Sequence, residues 1–141
     1  MTLMTAIDVS ASGLTAQRRR LEVHVSNLVN ANTSTPAGME PFRRKDVIFS
    51  ATPPQTSFGA EFGDAVQGVE ISKVVTDNSD PMPRYEPSNP NANKDGYVTY
   101  PDIDPMKETT DILLAARSYE ANLQAVTAAK EMAQKTLEIL K

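Results

Sequence analysis

Side chains able to ligate, titrate or attack are sparse in this sequence. His24 is the only histidine and there is no cysteine, which removes thiolate nucleophiles, disulfides and cysteine-ligated metals together. His24 falls between Leu21 and Leu28 with no second histidine to form a zinc pair, and reads as a polar residue on a helix face. No serine sits in a nucleophile elbow and no glycine-rich loop is built for phosphate. The stretch from Asn91 to Asp102 has the outline of a calcium loop: oxygens at Asn91, Asn93 and Asp95, then Gly96, apolar Val98 and Asp102 at the twelfth position. Its first position lacks a carboxylate, its last is not glutamate, and Pro87 and Pro90 keep a helix from leading in. An Asx-rich turn entering a strand at Tyr97 is the better reading.

The charged groups also have local explanations. Asp104 and Pro105 suit an N-cap and a first helical residue, and Asp102, Asp104 and Glu108 oppose the positive end of a helix dipole there. The runs Arg18–Arg20 and Arg43–Lys45 are accompanied by Glu22 and Asp46, and the chain carries a net charge of −4. That balance lacks the positive field a nucleic-acid binder needs. No catalytic, cofactor-binding or metal-binding residue is assigned, and the chain reads as a non-enzyme.

The elements around these residues divide sharply. All ten prolines lie between Pro36 and Pro105, as do all aromatics except Tyr119, so the ends permit helix and the middle resists it. The expected fold is mainly α: an antiparallel, coiled-coil-like pair of long N- and C-terminal helices with a small β-rich, proline-rich middle segment. The expected divisions are residues 1–33, 34–104 and 105–141. Within the middle, 43–51 and 67–76 alternate as strands do, with shorter candidates at 82–86 and 97–100 and a loop over 52–63. No apolar stretch approaches the ~20 residues that span a bilayer, and the N-terminus lacks the charged start and apolar core of a cleaved signal.

Each terminal helix carries two stripes at three-and-four spacing. On the first, Ile7, Leu14, Leu21 and Leu28 fall a heptad apart; on the second, Ile112, Tyr119, Leu123, Val126, Leu137 and Leu140 continue the pattern. These are assigned to the seam within the chain. The other stripes, Gly13, Ala16, Val23, Asn27 and Asn30, then Leu114, Ala121, Ala125, Ala128 and Met132, have small side chains and little charge. They are assigned to contacts with neighbouring subunits, because a helix of a solitary domain needs only one apolar stripe. Arg18 and Lys130 interrupt the seams, either snorkelling outward or meeting an acid on a neighbour.

Four pieces carry a family resemblance: IDVSASGLTAQR (7–18), NLVNANT (27–33), DGYVTYPDIDPMKE (95–108) and AARSYEANL (115–123). With these the chain resembles the flagellar basal-body rod proteins, most closely those of the proximal rod. The resemblance implies export without a cleaved signal through the flagellar type III apparatus and polymerisation in the periplasm. It implies as partners the other rod subunits, the rod-to-membrane-ring adaptor and copies of itself, with no nucleic acid and no direct membrane insertion. The product would be a drive shaft around the export channel, carrying torque from the membrane rotor to the hook. The alternatives are another axial subunit of the distal rod or hook junction, and a cytoplasmic coiled-coil scaffold, which leaves the asparagine-rich piece unexplained.

Overall fold

The computed structural model describes residues 3–36, 38–52 and 67–139. Two helices dominate it, α1 (Leu3–Asn30) and α2 (Pro105–Ile139). Between them lie β1 (Lys45–Ala51), β2 (Val69–Thr76), β3 (Met82–Tyr85) and β4 (Tyr97–Tyr100), arranged as two antiparallel pairs, β1 with β2 and β3 with β4. Most of the loop expected over 52–63 lies outside the described residues, as does Leu140.

Local chemistry sets the boundaries. α2 starts at Pro105, whose missing N–H would be unsatisfied there in any case. Asp104 Oδ1 accepts from the Met106 N–H at 2.9 Å, the bond of an N-cap. The Asx-rich stretch is a turn. Asn93 Oδ1 accepts from the N–H groups of Asp95 and Tyr97, both at 2.9 Å, and Asn89 Oδ1 accepts from Asn91 at 3.0 Å. Gly96 closes the turn at φ +81, where an added Cβ would lie 2.8 Å from the Tyr85 ring. Along β1 the ladder slips once: Ile48 pairs with Lys73 but Phe49 with Ile71, leaving Ser72 over as a bulge.

The helices run antiparallel, with Gly13 against Asn122 and His24 against Glu108. On α2 the inward face follows two strict heptads: Glu108, Ala115, Asn122 and Ala129, with Ile112, Tyr119, Val126 and Ala133 between them. On α1 the buried residues are Ala16, Val23, His24 and Asn27. The α1 face is therefore rotated from the expected one. Ala16, Val23 and Asn27, assigned above to neighbouring subunits, are buried within the chain itself, and Gly13 is packed by Asn122. Asn30 is half-buried and donates to its own helix, to the Ser26 carbonyl at 2.7 Å. The heptad line Ile7, Leu14, Leu21 and Leu28 is only half-buried. The reason is that α1 is covered by α2 and by the β1–β2 pair together, and small side chains are what let a second backbone come close.

On α2, Ile112, Tyr119 and Val126 are half-buried on the inward face, whereas Leu123 and Leu137 are exposed, a departure from the expected seam. Leu114, Ala121, Ala125, Ala128 and Met132 are exposed too. Among the described residues the buried apolar set is small in number and in size: Ala16, Val23, Ala31, Val98, Ile103, Ala115 and Ala129. Such a core stabilises a chain of this length only weakly.

The Gly13 approach gives a measurable outcome. An added Cβ would sit 2.9 Å from Asn122 Nδ2, so Gly13→Leu should cost about 1–3 kcal/mol in urea denaturation by overpacking. Gly13→Ala combined with Asn122→Ala removes the clash and gains roughly 1 kcal/mol of helix propensity at position 13, so it should not show that loss.

Candidate functional site

The densest chemistry in the fold is a buried polar cluster where α1, α2 and the start of β1 meet. Glu108 and Asn27 are 0% exposed and His24 is 1% exposed. A carboxylate taken fully out of water must be matched by donors, and these come from three separate stretches of chain. His24 Nδ1 lies 2.7 Å from Glu108 Oε2, and Asn27 Nδ2 donates to the same oxygen at 3.0 Å. Arg44 Nε donates to Oε1 at 2.7 Å. Arg20 Nε approaches His24 Nε2 at 3.4 Å, which makes that nitrogen the acceptor and assigns the ring proton to Nδ1, facing Glu108.

The surroundings extend the network. Arg44 reaches Asp46 at 3.2 Å and comes within 4.0 Å of Asp111. Asn27 also brackets Lys45, accepting from its N–H at 3.0 Å and donating to its carbonyl at 2.7 Å. Burial alone would push the Glu108 carboxyl up, but hydrogen bonds from His24, Asn27 and Arg44, with the Arg44 charge, outweigh it and hold it below the usual glutamate range. Asp46 follows the same logic: burial works to raise it, while the Val47 N–H and Arg44 bring it down.

His24, Glu108 and Asp111 bring three potential ligand atoms within 4.8 Å of one another, the one grouping of metal-ligand type among the described residues. The donor chemistry does not favour a cation there. Arg44 already supplies the positive charge, both Glu108 oxygens are taken by N–H donors, and the His24 nitrogen facing Glu108 carries a proton. Nor does the cluster have the parts of an active site. The imidazole has no hydroxyl partner in its network and is closed off from solvent. An open groove of about 270 Å³ between α1 and β2, lined by Ser12, Thr15, Ala16, Val69, Glu70 and Ile71, is mostly apolar and holds a single titratable group. What the cluster does is hold three segments in one register.

This corrects two readings made from sequence. His24, read as a polar residue on a helix face, is buried, and Glu108 is an interior ion-pair partner rather than only an acid at a helix start. The available signal was Arg20 and Asn27 in an otherwise small-residue stripe, beside His24: polar groups on a packing face require polar partners. The acceptor that His24 and Asn27 share, Glu108, lies far along the chain, as does Arg44, the third donor to it, and spacing alone does not identify either. Of the residues interrupting the seams, Arg18 turns outward and lies 3.8 Å from Glu22, and Lys130 is exposed.

Removing the acid should expose the cost of the site. Glu108→Ala leaves Arg44, His24 and Asn27 without their acceptor and should destabilise the chain by about 3–5 kcal/mol. Glu108→Gln keeps an acceptor and should cost about 1–3 kcal/mol. The pH sign follows from the lowered carboxyl: its stabilisation is complete above the ordinary glutamate value of 4.5 and is lost as pH falls through the depressed folded value. Urea midpoints of the natural chain should therefore drop on acidification below that value, and Glu108→Gln should remove a share of the drop. An equally steep acid loss in the variant would assign it to other carboxyls.

Comparison with known proteins places these segments. Residues 7–35 match the family described as flagella basal body rod protein, and residues 94–139 the one described as flagellar basal body rod FlgEFG protein C-terminal. The first match carries His24 and Asn27, the second Glu108, and Arg44 falls between them. Over its whole length the chain is similar to proteins named flagellar basal-body rod protein FlgC. It is 42% identical to that of Bacillus subtilis, with 99% of each chain covered. It is 36% identical to that of Salmonella typhimurium, covering 99% of this chain and 98% of the relative. For Aquifex aeolicus the identity is 36%, covering 100% and 99%.

Proposed function

Because this chain belongs to the flagellar basal-body rod proteins, in their FlgC family, we propose that it works as a structural subunit of the proximal rod, packing beside other rod subunits and copies of itself. The observation that carries the reading is the near-complete coverage at 42% identity to a rod protein of that name. The fold supports it: a helix pair with a thin internal core leaves apolar groups on the outside of α2, uncovered by the other described residues. Leu114, Ala121, Ala125, Ala128 and Met132 are the residues we assign to neighbouring subunits, and the exposed Leu113, Leu123 and Leu137 widen that surface. α1 contributes less to it than its sequence led one to expect, because its small-residue stripe is used internally.

In this reading residues 1–33 and 105–141 form a coiled-coil-like core beside the export channel, and 34–104 makes the outer contacts. The subunit reaches the periplasm through the flagellar type III apparatus, meets the adaptor between rod and membrane ring, and passes torque toward the hook. It needs no cofactor and performs no catalysis. Long helices packed on more than one side resist bending and twist, which is the mechanical requirement of a shaft. Free energy still available from covering α2 couples ordering to assembly.

Three outcomes test this. Deleting the gene should arrest flagellar assembly before the rod is complete, and a complete rod in the deletion strain would sink the proposal. Ala121→Glu or Ala128→Glu should leave the isolated fold intact, because both positions are already exposed, yet block rod formation and swimming. In the dilute monomer, residues 3–9 and 130–139 should exchange amide hydrogens quickly, since among the described residues of these stretches none is buried. Around His24 and Glu108 exchange should be slow, and the helix ends should become protected only in the assembled rod.

A further inference from the structure

We propose that Asn27 acts as a stand-in strand for β1, and that the β1–β2 hairpin is a limb pinned to the helix pair at two points and releasable from it. The Lys45 N–H donates to Asn27 Oδ1 at 3.0 Å, and Asn27 Nδ2 donates to the Lys45 carbonyl at 2.7 Å. Those are the two bonds that directly opposed residues exchange in an antiparallel ladder, here supplied by one carboxamide on a helix. The neighbouring residue addresses the other edge: the Arg44 carbonyl accepts from the Asp77 N–H at 2.7 Å, across from β1. Adjacent backbone units thus alternate between β2 and α1, as they would between two flanking strands.

The second pin is at the other end of the ladder. Val69, which pairs with Ala51, donates its N–H to Ser12 Oγ at 3.0 Å. Gly68 passes so close that an added Cβ would lie 3.0 Å from the same hydroxyl. From Ser12 to Asn27 is about 22 Å along a helix, and β1 from Lys45 to Ala51 spans about 20 Å as a strand. The two pins therefore match the length of the limb. Between them Ile48 is 50% and Val74 36% exposed, so the hairpin keeps apolar surface outside and depends on its polar fastenings.

Glu108 fixes the sense of the first pin. It accepts from Asn27 Nδ2 at 3.0 Å, so the amide nitrogen must face α2 and the amide oxygen is left to face the Lys45 N–H. Glu108 is in this respect a positioning residue, acting on the hairpin through Asn27. For a rod subunit the arrangement has a mechanical meaning that rests on the reading above: sideways load on the outer hairpin enters the helix core at two fixed points, and a lost pin turns the limb into a hinge.

Hydrogen–deuterium exchange on the full-length chain tests this in Asn27→Ala, Ser12→Ala and the double variant, with helix content followed by circular dichroism. Asn27→Ala should speed exchange at 45–48 and 73–76 by roughly tenfold or more, and by a clearly larger factor than at 16–23 and 112–126, where loss of one donor to Glu108 also acts. Ser12→Ala should act at the 49–51 and 69–71 end, and the double variant should loosen both ends of the hairpin with its helices retained, the chain before β1 staying tied to α2 by Arg44 and Glu108. Helix peptides accelerating in step with the hairpin, an unchanged hairpin, or an Asn27→Ala chain that loses its helices would each overturn the proposal, since Asn27 would then be a core residue or an idle one. The readout needs no rod, so a wrong assignment of the assembly would leave it unaltered.

Discussion

A single desolvated carboxylate sets the terms for this molecule. Glu108 is 0% exposed, and without its donors it would be an uncompensated charge in the interior. Those donors are His24 and Asn27 on α1 and Arg44 just before β1, so the charge is satisfied only when three distant stretches of chain stand in one relative position. Buried ion pairs contribute little net stability compared with apolar packing of similar volume. Their better-attested effect is to penalise alternatives, and a slip of either helix by one turn would strand Glu108. The interior otherwise consists largely of alanines, which pack equally well in several registers. The polar cluster supplies the discrimination that the apolar core lacks.

Much of this was legible beforehand, and what was not has a physical reason. Helix ends, strand positions, the Asx turn and the Asp104–Pro105 start of α2 are local properties, written in capping, proline and alternation patterns that neighbours do not change. The faces of the helices are not local. Two stripes were visible on α1, and the more apolar one was given the inward role. The inward role went instead to the stripe with Gly13, Ala16, Val23 and Asn27, because close approach of backbones and the need to bring His24 and Asn27 to Glu108 outweigh the extra methylenes of Ile7, Leu14, Leu21 and Leu28. Arg44 was visible only as part of a basic run with Asp46 near it. Nothing in its neighbourhood announces a partner 64 residues away.

The same economy of core explains the division of labour between the helices. α1 is covered by α2 on one side and by the β1–β2 pair on another, so its buried residues gather between Ala16 and Asn27. Among the described helices and strands α2 packs on α1 alone, and Leu114, Ala121, Ala125, Ala128 and Met132 stay exposed. A chain built in this way is complete in its register but incomplete in its burial. In the proposed role of a rod subunit, hydrogen bonds settle the internal geometry and the exposed apolar surface of α2 is available to neighbours.

The bulge that leaves Ser72 over between Ile48 and Phe49 of the facing strand has its own consequence. A two-stranded ribbon has two open edges, and flat ribbons with valines and isoleucines add to one another without limit, as in cross-β fibrils. A skipped residue steepens the twist and breaks the flat template. Crowded chains are thereby hindered from stacking edge on edge, which disfavours an amyloid-like dead end.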